Sequence, residues 1–285
     1  MARDQGIWTA FLGAEVRFHN VDGARTRVLT CGDGPNVVLL HGRGGHLETW
    51  ARTVAPLCAA GRRVVALDLL GHGLTAPAGR RYDVGELLDH ARATLDAVGV
   101  ERADLVGQSL GGWVAAEIAR RSPDHVRRLV LVEPAGLQSE GERLADPRVR
   151  AAYQEGGLAF ADPSAGNVRS RFAQLVARPE LIPDEMIALR AALYAPAAAR
   201  AVHRAVRAAD NAAWLLTPER LARITAPVLL VRGAHGHLPE ELLATAAAAL
   251  PDGRLVTLPD AKQWPHYEQP DLFARTTLQF LEDAA

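Results

Sequence analysis

The residues with the clearest chemical potential form the pentapeptide Gly107-Gln108-Ser109-Leu110-Gly111. It stands between an apolar run and an alanine-rich run with helical spacing, which is the pattern of a strand, a sharp turn and a helix. Glycines flank the serine because the turn is tight, and side chains there would collide while the hydroxyl is pushed into the open. Ser109 is therefore the candidate nucleophile, and a serine in this role needs a histidine base held by an acid.

A second motif, His41-Gly42-Arg43-Gly44-Gly45, directly follows the apolar run at residues 37–40. Ligands of open parallel sheets bind beyond the carboxyl ends of the strands, so motifs after such runs are expected to converge. The small residues let the backbone pass close to the site. We predict that the N–H groups of Arg43 and Leu110 form an oxyanion hole, and that His41 and Gly42 belong to the substrate-binding loop.

The segment at residues 68–75, Asp-Leu-Leu-Gly-His-Gly-Leu-Thr, follows the next apolar run. It resembles the D-x-x-G-x-G-x-S signature of the α/β-hydrolase superfamily, and the two motifs above occur in the order found there. This resemblance covers nearly the whole chain. It implies an α/β-hydrolase fold, with a mostly parallel eight-stranded sheet flanked by helices, and a structural role for His72 beside the site.

Finer details resemble the carbon-carbon bond hydrolases that cleave meta-cleavage products of aromatic degradation. The matching segments are residues 42–48, residues 109–115, Leu-Ile-Pro-Asp-Glu at 181–185 followed by Arg190, and Trp-Pro-His-Tyr-Glu-Gln-Pro at 264–270. The resemblance implies that Arg190 binds a substrate carboxylate and that Trp264 lines the site. As a single arginine on a helix, Arg190 is equally compatible with a solvated position.

Two positions depart from the family pattern. After the apolar run ending at Val231 the family has G-x-x-D, whereas this chain has Gly233-Ala234-His235-Gly236, so the orienting acid has become glycine. The family's histidine before the tryptophan is replaced by Gln263. An amide cannot accept a proton at useful pH, so Ser109 would keep a high pKa and remain a poor nucleophile.

Other residues offer replacements for the lost pair. Glu133 follows the apolar run at residues 129–132, where it serves either as a substitute acid or as a loop residue that caps a turn. His266 is the candidate base if its loop is reshaped, and Lys262 is a further candidate because a desolvated lysine can titrate near neutrality. His235 and His237 are interpreted as loop residues.

Apolar and polar residues alternate in two short runs joined at Asp22-Gly23, a pattern that predicts an edge hairpin over residues 14–31. Unbroken apolar runs predict buried strands, and helical patterns between them indicate a mostly parallel sheet. The buried strands are predicted at 37–40, 64–67, 103–106, 129–132 and 228–231, a final strand at 255–258, and the helices at 48–60, 84–98, 110–121, 239–250 and 271–282. Proline-punctuated helices at 137–218 predict a lid inserted into a core formed by residues 1–136 and 219–285.

Composition limits the range of functions. The formal net charge of -1 favours a small-molecule substrate and argues against a nucleic acid or an anionic membrane as partner. Cys31 and Cys58 are expected to be ordinary thiols, and the many arginines are interpreted as solvated helix faces. No metal motif, P-loop or dinucleotide fingerprint is present, so no cofactor is expected. The first thirteen residues lack a signal-peptide pattern and no apolar run is long enough to span a bilayer, which together predict a cytoplasmic protein. The sequence is compatible with a homo-oligomer.

These observations leave two functional classes open. The first is an atypical enzyme with an oxyanion hole and a degenerate triad, comprising Ser109, Glu133 and His266, that acts on a small, partly apolar carbonyl compound. The second is a non-hydrolytic cyclase, lyase or ligand-binding protein that uses the same pocket, with Ser109 and Gln263 holding a carbonyl group. An oxyanion hole and substrate binding alone still give about 10³-fold catalysis, which suffices for an easy reaction.

Overall fold

The computed structural model describes residues 6–78 and 81–283 of the chain. The first five residues of the N-terminal segment considered above therefore lie outside the described residues. Eight strands form one sheet in the order β1-β2-β4-β3-β5-β6-β7-β8. Their bounds are β1 Glu15–Val21, β2 Ala24–Cys31, β3 Asn36–Leu40, β4 Arg63–Leu67, β5 Ala103–Gln108, β6 Val126–Val132, β7 Val228–Gly233 and β8 Gly253–Leu258.

The sheet confirms the predicted topology. β1 pairs antiparallel with β2 and β2 antiparallel with β4, while every pair from β4 onward is parallel. Asp22 and Gly23 take positive φ angles of 49° and 79°, which a tight two-residue hairpin requires. The strands from β3 to β7 are almost wholly buried, because helices cover both faces of the sheet.

Twelve α-helices accompany this sheet in the described residues. They are α1 Val54–Ala59, α2 Val84–Ala97, α3 Leu110–Arg121, α4 Glu140–Ala145, α5 Pro147–Ala161, α6 Ala165–Leu175, α7 Asp184–Tyr194, α8 Ala197–Ala208, α9 Pro218–Leu221, α10 Glu240–Ala249, α11 Pro265–Glu268 and α12 Pro270–Glu282. None of these helices has the length and apolar character needed to cross a membrane.

The helix predicted at residues 48–60 is wrong in its first half. The chain there forms a 3-10 turn, Leu47–Trp50, and α1 begins only at Val54. Pro56 explains the break, because proline is tolerated in the first turn of a helix but clashes with the carbonyl four residues earlier when the helix extends through it.

Six of the described α-helices, α4 to α9, lie between β6 and β7, and the first five, α4 to α8, correspond to the predicted insertion at residues 137–218. Prolines mark where several of them begin: Pro147 is the first residue of α5, and Pro183 and Pro196 stand directly before α7 and α8. We call this insertion the lid. Its role as a movable cover stays a prediction.

Candidate active site

Ser109 sits on the sharp turn between β5 and α3. Its φ and ψ are 51° and -114°, a conformation that side chains rarely adopt. A Cβ on Gly107 would lie 2.4 Å from the Gly111 carbonyl oxygen, and one on Gly111 would lie 2.2 Å from the Leu40 carbonyl oxygen. The backbone N–H of Ser109 donates to Val132 at 3.0 Å, so the turn is tied to β6. The flanking glycines are therefore required by close backbone approach, as the motif predicted.

Ser109 lies on the wall of a cavity between the carboxyl ends of the strands and the lid. Arg43, Leu110 and Gly42 line the same cavity. A Cβ on Gly42 would come within 2.2 Å of Gln108 Oε1 and 3.0 Å of Ser109 Cβ, so only glycine lets this loop pass so close to the serine. The loop after β3 and the start of α3 therefore line one cavity together with Ser109.

His41 does not line this cavity. Its ring is fully buried, Nδ1–H donates to the Gly42 carbonyl at 2.8 Å, and Nε2 accepts the Leu69 N–H at 3.0 Å. With both nitrogens engaged in the scaffold, His41 holds the loops after β3 and β4 together. It does not have the position predicted for a substrate-binding residue.

Gln263 and Trp264 both line the cavity that contains Ser109. The Gln263 backbone is held on both sides, since its N–H donates to Leu175 at 3.0 Å and its carbonyl accepts Gln108 Nε2–H at 3.3 Å. An amide therefore stands beside the serine where the related pattern has an imidazole. Among the described residues, nothing accepts a hydrogen bond from the Ser109 hydroxyl.

Glu133 occupies the space left by the missing acid. It follows β6 with a φ of 44°, is 2% exposed, and its Oε1 accepts the Gly233 N–H at 2.9 Å. A Cβ on Gly236 would lie only 1.9 Å from that oxygen. Burial raises the pKa of Glu133 to about 7. The carboxyl group holds the loop after β7 by its backbone, and among the described residues no histidine ring is hydrogen-bonded to it.

His266 lies outside the cavity, although it was the candidate base. Its ring is fully buried against Trp50 and Phe273, with ring centroids 4.5 and 6.0 Å away. Burial lowers its pKa to about 3. Pro265 starts α11 directly after the cavity wall, and the helical turn carries His266 into the apolar layer behind Trp264. The structure therefore does not bring His266 to Ser109.

The remaining candidates are placed differently. Lys262 donates from Nζ to the Ala173 carbonyl at 3.0 Å and does not line the cavity. His72 is buried and donates from Nδ1 to the Leu70 carbonyl at 3.0 Å, in agreement with a structural role. His235 is exposed on the loop after β7. None of these three side chains is placed to take the serine proton.

His237, interpreted from the sequence as a loop residue, lines the cavity with Ser109. Its Nε2–H donates to the Gln174 carbonyl at 3.2 Å, which leaves Nδ1 with the free lone pair. Burial lowers the pKa of His237 to about 4, and the cations Arg171 and Arg143 add to this effect. The ring is therefore neutral at pH 7. In the sequence, the one signal for His237 is its position next to Gly236, where this chain departs from the family pattern.

Arg190 is 2% exposed and lines the same cavity. Its guanidinium lies over the rings of Phe172 and Trp264, 4.5 and 4.9 Å from their centroids, and Nε–H donates to His46 Nε2 at 3.3 Å. Nη2 is buried without a partner among the described residues. A buried cation with an unused donor is suited to bind an anionic ligand group.

A chain of buried charges fixes His46 and, through it, Arg190. His46 Nδ1–H donates to Glu48 at 2.7 Å, and Arg27 makes a bidentate pair with Glu48 at 2.9 Å for both bonds. Arg27 also donates to Asp68 at 2.6 Å. Hydrogen bonds from His46 and Arg27 lower the pKa of Glu48 to about 2, against the opposing effect of its burial. Two carboxylates thus compensate two guanidinium groups along this chain.

Comparison with known proteins agrees with the observed fold. A family model described as the alpha/beta hydrolase fold matches residues 35–270. A 2-hydroxymuconate semialdehyde hydrolase of Pseudomonas sp. (strain CF600) is 44% identical over 118 residues, which are 40% of this chain and 42% of the relative. A 2-hydroxy-6-oxo-6-phenylhexa-2,4-dienoate hydrolase of Burkholderia cepacia is 29% identical over 266 residues, 90% of this chain and 91% of the relative.

A solved structure of a serine hydrolase involved in carbazole degradation superposes with a TM-score of 0.79 at 25% identity. The match covers 94% of this chain and 98% of that chain. The relatives of 37% to 44% identity are matched over only 39% to 58% of their own lengths. The resemblance to hydrolases of meta-cleavage products, read from the motifs, is confirmed by these matches.

Proposed function

This chain belongs to the α/β-hydrolase family, and we propose that it is an enzyme that cleaves a small carbonyl compound bearing a carboxylate. Ser109 and the N–H groups of Arg43 and Leu110 polarise the carbonyl, and Arg190 binds the carboxylate. The observation that carries the proposal is that all four residues line one cavity under the lid. The family relatives support the substrate class, since their names describe enzymes acting on oxo-dienoates.

Oxyanion stabilisation is the largest catalytic contribution that this site retains. Two preorganised N–H donors are worth about 10²- to 10³-fold each in rate when they face a developing negative charge. The Ser109 hydroxyl lies beside them and can add a third hydrogen bond. This arrangement favours substrates whose carbonyl is already activated, because a base with a pKa of about 4, as His237 has, leaves the serine a weak nucleophile.

His237 is the proton acceptor in this proposal. The cavity holds one other imidazole, His203, which is stacked on Phe160 and has a pKa lowered by burial to about 2. His237 is neutral, its tautomer is fixed by the Gln174 carbonyl, and its free Nδ1 can take a proton from the serine or from a water. Glu133 positions His237 only indirectly, by holding the backbone of the loop after β7.

The test is turnover of 2-hydroxy-6-oxo-6-phenylhexa-2,4-dienoate, followed by loss of its absorbance. We expect Ser109→Ala to lower kcat/KM by about 10²-fold or more. Arg190→Leu should raise KM by about 10- to 100-fold, the worth of a charge-assisted hydrogen bond. The control is Arg204→Leu, an exposed position on α8, which should behave like the unmodified protein. No turnover of this compound or of its alkyl analogues would refute the proposal.

A second candidate is a non-hydrolytic lyase, cyclase or binding protein that uses the same cavity. The observation that favours it is the unpartnered Ser109 hydroxyl beside the inert amide of Gln263. A fluorophosphonate probe separates the two, since it labels only an activated serine. Labelling that disappears in Ser109→Ala, together with burst kinetics on a p-nitrophenyl ester, would exclude the non-hydrolytic candidate.

A further inference from the structure

The cavity is unusually rich in arginine. Besides Arg190, four arginines line it, and none of its lining residues in the described chain is acidic. We call these four the lid cluster: Arg43 from the loop after β3, Arg143 on α4, Arg171 on α6 and Arg207 on α8. Three of the four come from the lid, so the lid presents cations toward the serine.

The lid cluster is only partly neutralised. Arg43 and Arg143 share Glu140, at 3.3 and 2.8 Å. Arg171 and Arg207 have no carboxylate partner among the described residues, and four guanidinium groups against one carboxylate leave three positive charges in excess. Burial, and then the neighbouring cations Arg190 and Arg43, lower the pKa of Arg171 to about 10.

Arg171 and Arg207 are held in place by the backbone of α5. Arg171 Nη1–H donates to the Ala152 carbonyl at 2.8 Å, and Arg207 Nη1–H donates to the Tyr153 carbonyl at 3.0 Å. A Cβ on Gly156 would lie 3.3 Å from Arg171 Cζ, so the glycine lets the guanidinium lie close against the helix. These cations are positioned by the fold and keep their other donors for a ligand.

We propose that the lid cluster is a second anion subsite, which binds a phosphoryl group on a substrate whose carboxylate is bound by Arg190. The inference rests on the proposed function for the use of this cavity as the substrate site. It adds that the substrate is doubly anionic, with its phosphoryl end toward the lid.

Charge decides between a phosphoryl group and a second carboxylate. Arg190 is a single guanidinium group with one unused donor, Nη2, so it matches a single carboxylate. The lid cluster carries three excess charges, and a phosphate monoester brings about -1.5 to -2 at pH 7 with three acceptor oxygens. A carboxylate brings half that charge and two oxygens. The planar fork of arginine suits phosphate particularly well.

Binding tests the inference without any turnover. Calorimetry compares 4-phosphonobutyrate, which has one carboxylate and one phosphonate, with glutarate, which has two carboxylates joined by the same number of methylene groups. We expect the phosphonate to bind about tenfold or more tightly, and to weaken as salt is raised. Arg171→Gln and Arg207→Gln should each weaken phosphonate binding by about tenfold or more while changing glutarate binding less.

Two controls protect this test against misfolding. Arg171→Lys keeps the charge and should restore much of the affinity, and Arg204→Gln on α8 should leave binding unchanged. Phosphonate binding by the unmodified protein, without turnover of the oxo-dienoate, would refute the proposed function alone. Equal affinity for the two ligands, or unchanged binding in both glutamine variants, would overturn the phosphoryl subsite.

Discussion

Gly236 should be intolerant of even the smallest side chain, because Glu133 fills the space beside it. A Cβ at position 236 would lie 1.9 Å from Oε1, 2.6 Å from Cδ and 2.8 Å from Oε2 of Glu133. The whole carboxyl group therefore obstructs the substitution. It cannot move freely, since it is 2% exposed and accepts the Gly233 N–H at 2.9 Å.

The expected cost of Gly236→Ala has two parts. Forcing a methyl group into a packed interior costs about 1–3 kcal/mol. Displacing the carboxyl group from the Gly233 N–H leaves buried polar atoms unpaired, at about 1–3 kcal/mol. Together these give an expected loss of about 2–6 kcal/mol in the free energy of unfolding. Glu133→Ala removes the obstruction, so the double variant should be more stable than the sum of the single effects predicts, by at least about 1 kcal/mol.

Urea denaturation of the two single variants and the double variant measures this coupling. The matched control is Gly166→Ala in α6, where an added Cβ would meet nothing within 4 Å, so the substitution should be neutral or stabilising by about 1 kcal/mol. Additive effects in the double variant, or a Gly236→Ala protein as stable as the unmodified one, would show that Glu133 does not stand in the place of the lost acid.

Three further predictions follow from the site. Burial raises the pKa of Glu133 from 4.5 to about 7, so between these pH values the folded protein binds a proton that the unfolded chain has lost. The stability that this proton contributes, on the order of 3 kcal/mol, is complete below pH 4.5 and lost as the pH rises to 7. Urea unfolding of Glu133→Gln across this range should lack that decline. Glu48→Gln should cost about 3–5 kcal/mol by removing one of the two carboxylates that pair with Arg27. The pKa of Glu48 is lowered to about 2, so its contribution is present above pH 4.5 and lost toward pH 2, and thermal melts at a series of pH values check this. His237→Gln should lower kcat/KM by about 10²-fold or more and abolish the rise of activity with pH near 4. His235→Gln, on the same loop, should change neither. Equal pH profiles for the two variants would contradict a role of His237 as the base.

Local sequence pattern predicted the parts of the fold that depend on local physics. The unbroken apolar runs became buried parallel strands, and the hairpin turned at Asp22 and Gly23 where positive φ angles were expected. The elbow at Ser109 followed from its flanking glycines. In each case a backbone constraint acts within a few residues of the one that signals it, so the signal is readable without knowing the rest of the fold.

Side-chain direction in the loops and the lid could not be predicted in the same way. His266 is one residue into a short helix, and packing against Trp50 decides that it points away from Ser109. Arg171 and Arg207 were interpreted as solvated helix residues. Their side chains instead line the cavity, because they donate hydrogen bonds to backbone carbonyl groups of α5. Such choices depend on contacts between elements far apart in sequence, which periodicity does not encode.

The two positions that depart from the family pattern, 236 and 263, differ in how strongly they depend on other residues. Glu133 and Gly236 form a mutually dependent pair, because the carboxyl group of one needs the empty space at the other. Gln263 has no such partner: its backbone is held by Gln108 and Leu175 whichever side chain it carries. Restoring histidine at position 263 alone should therefore be tolerated by the fold but leave the imidazole without a carboxylate, since Glu133 is committed to the loop backbone. Rebuilding a conventional triad would therefore require three coordinated changes, at positions 133, 236 and 263, which is in line with our proposal that the site works by binding charge and polarising a carbonyl.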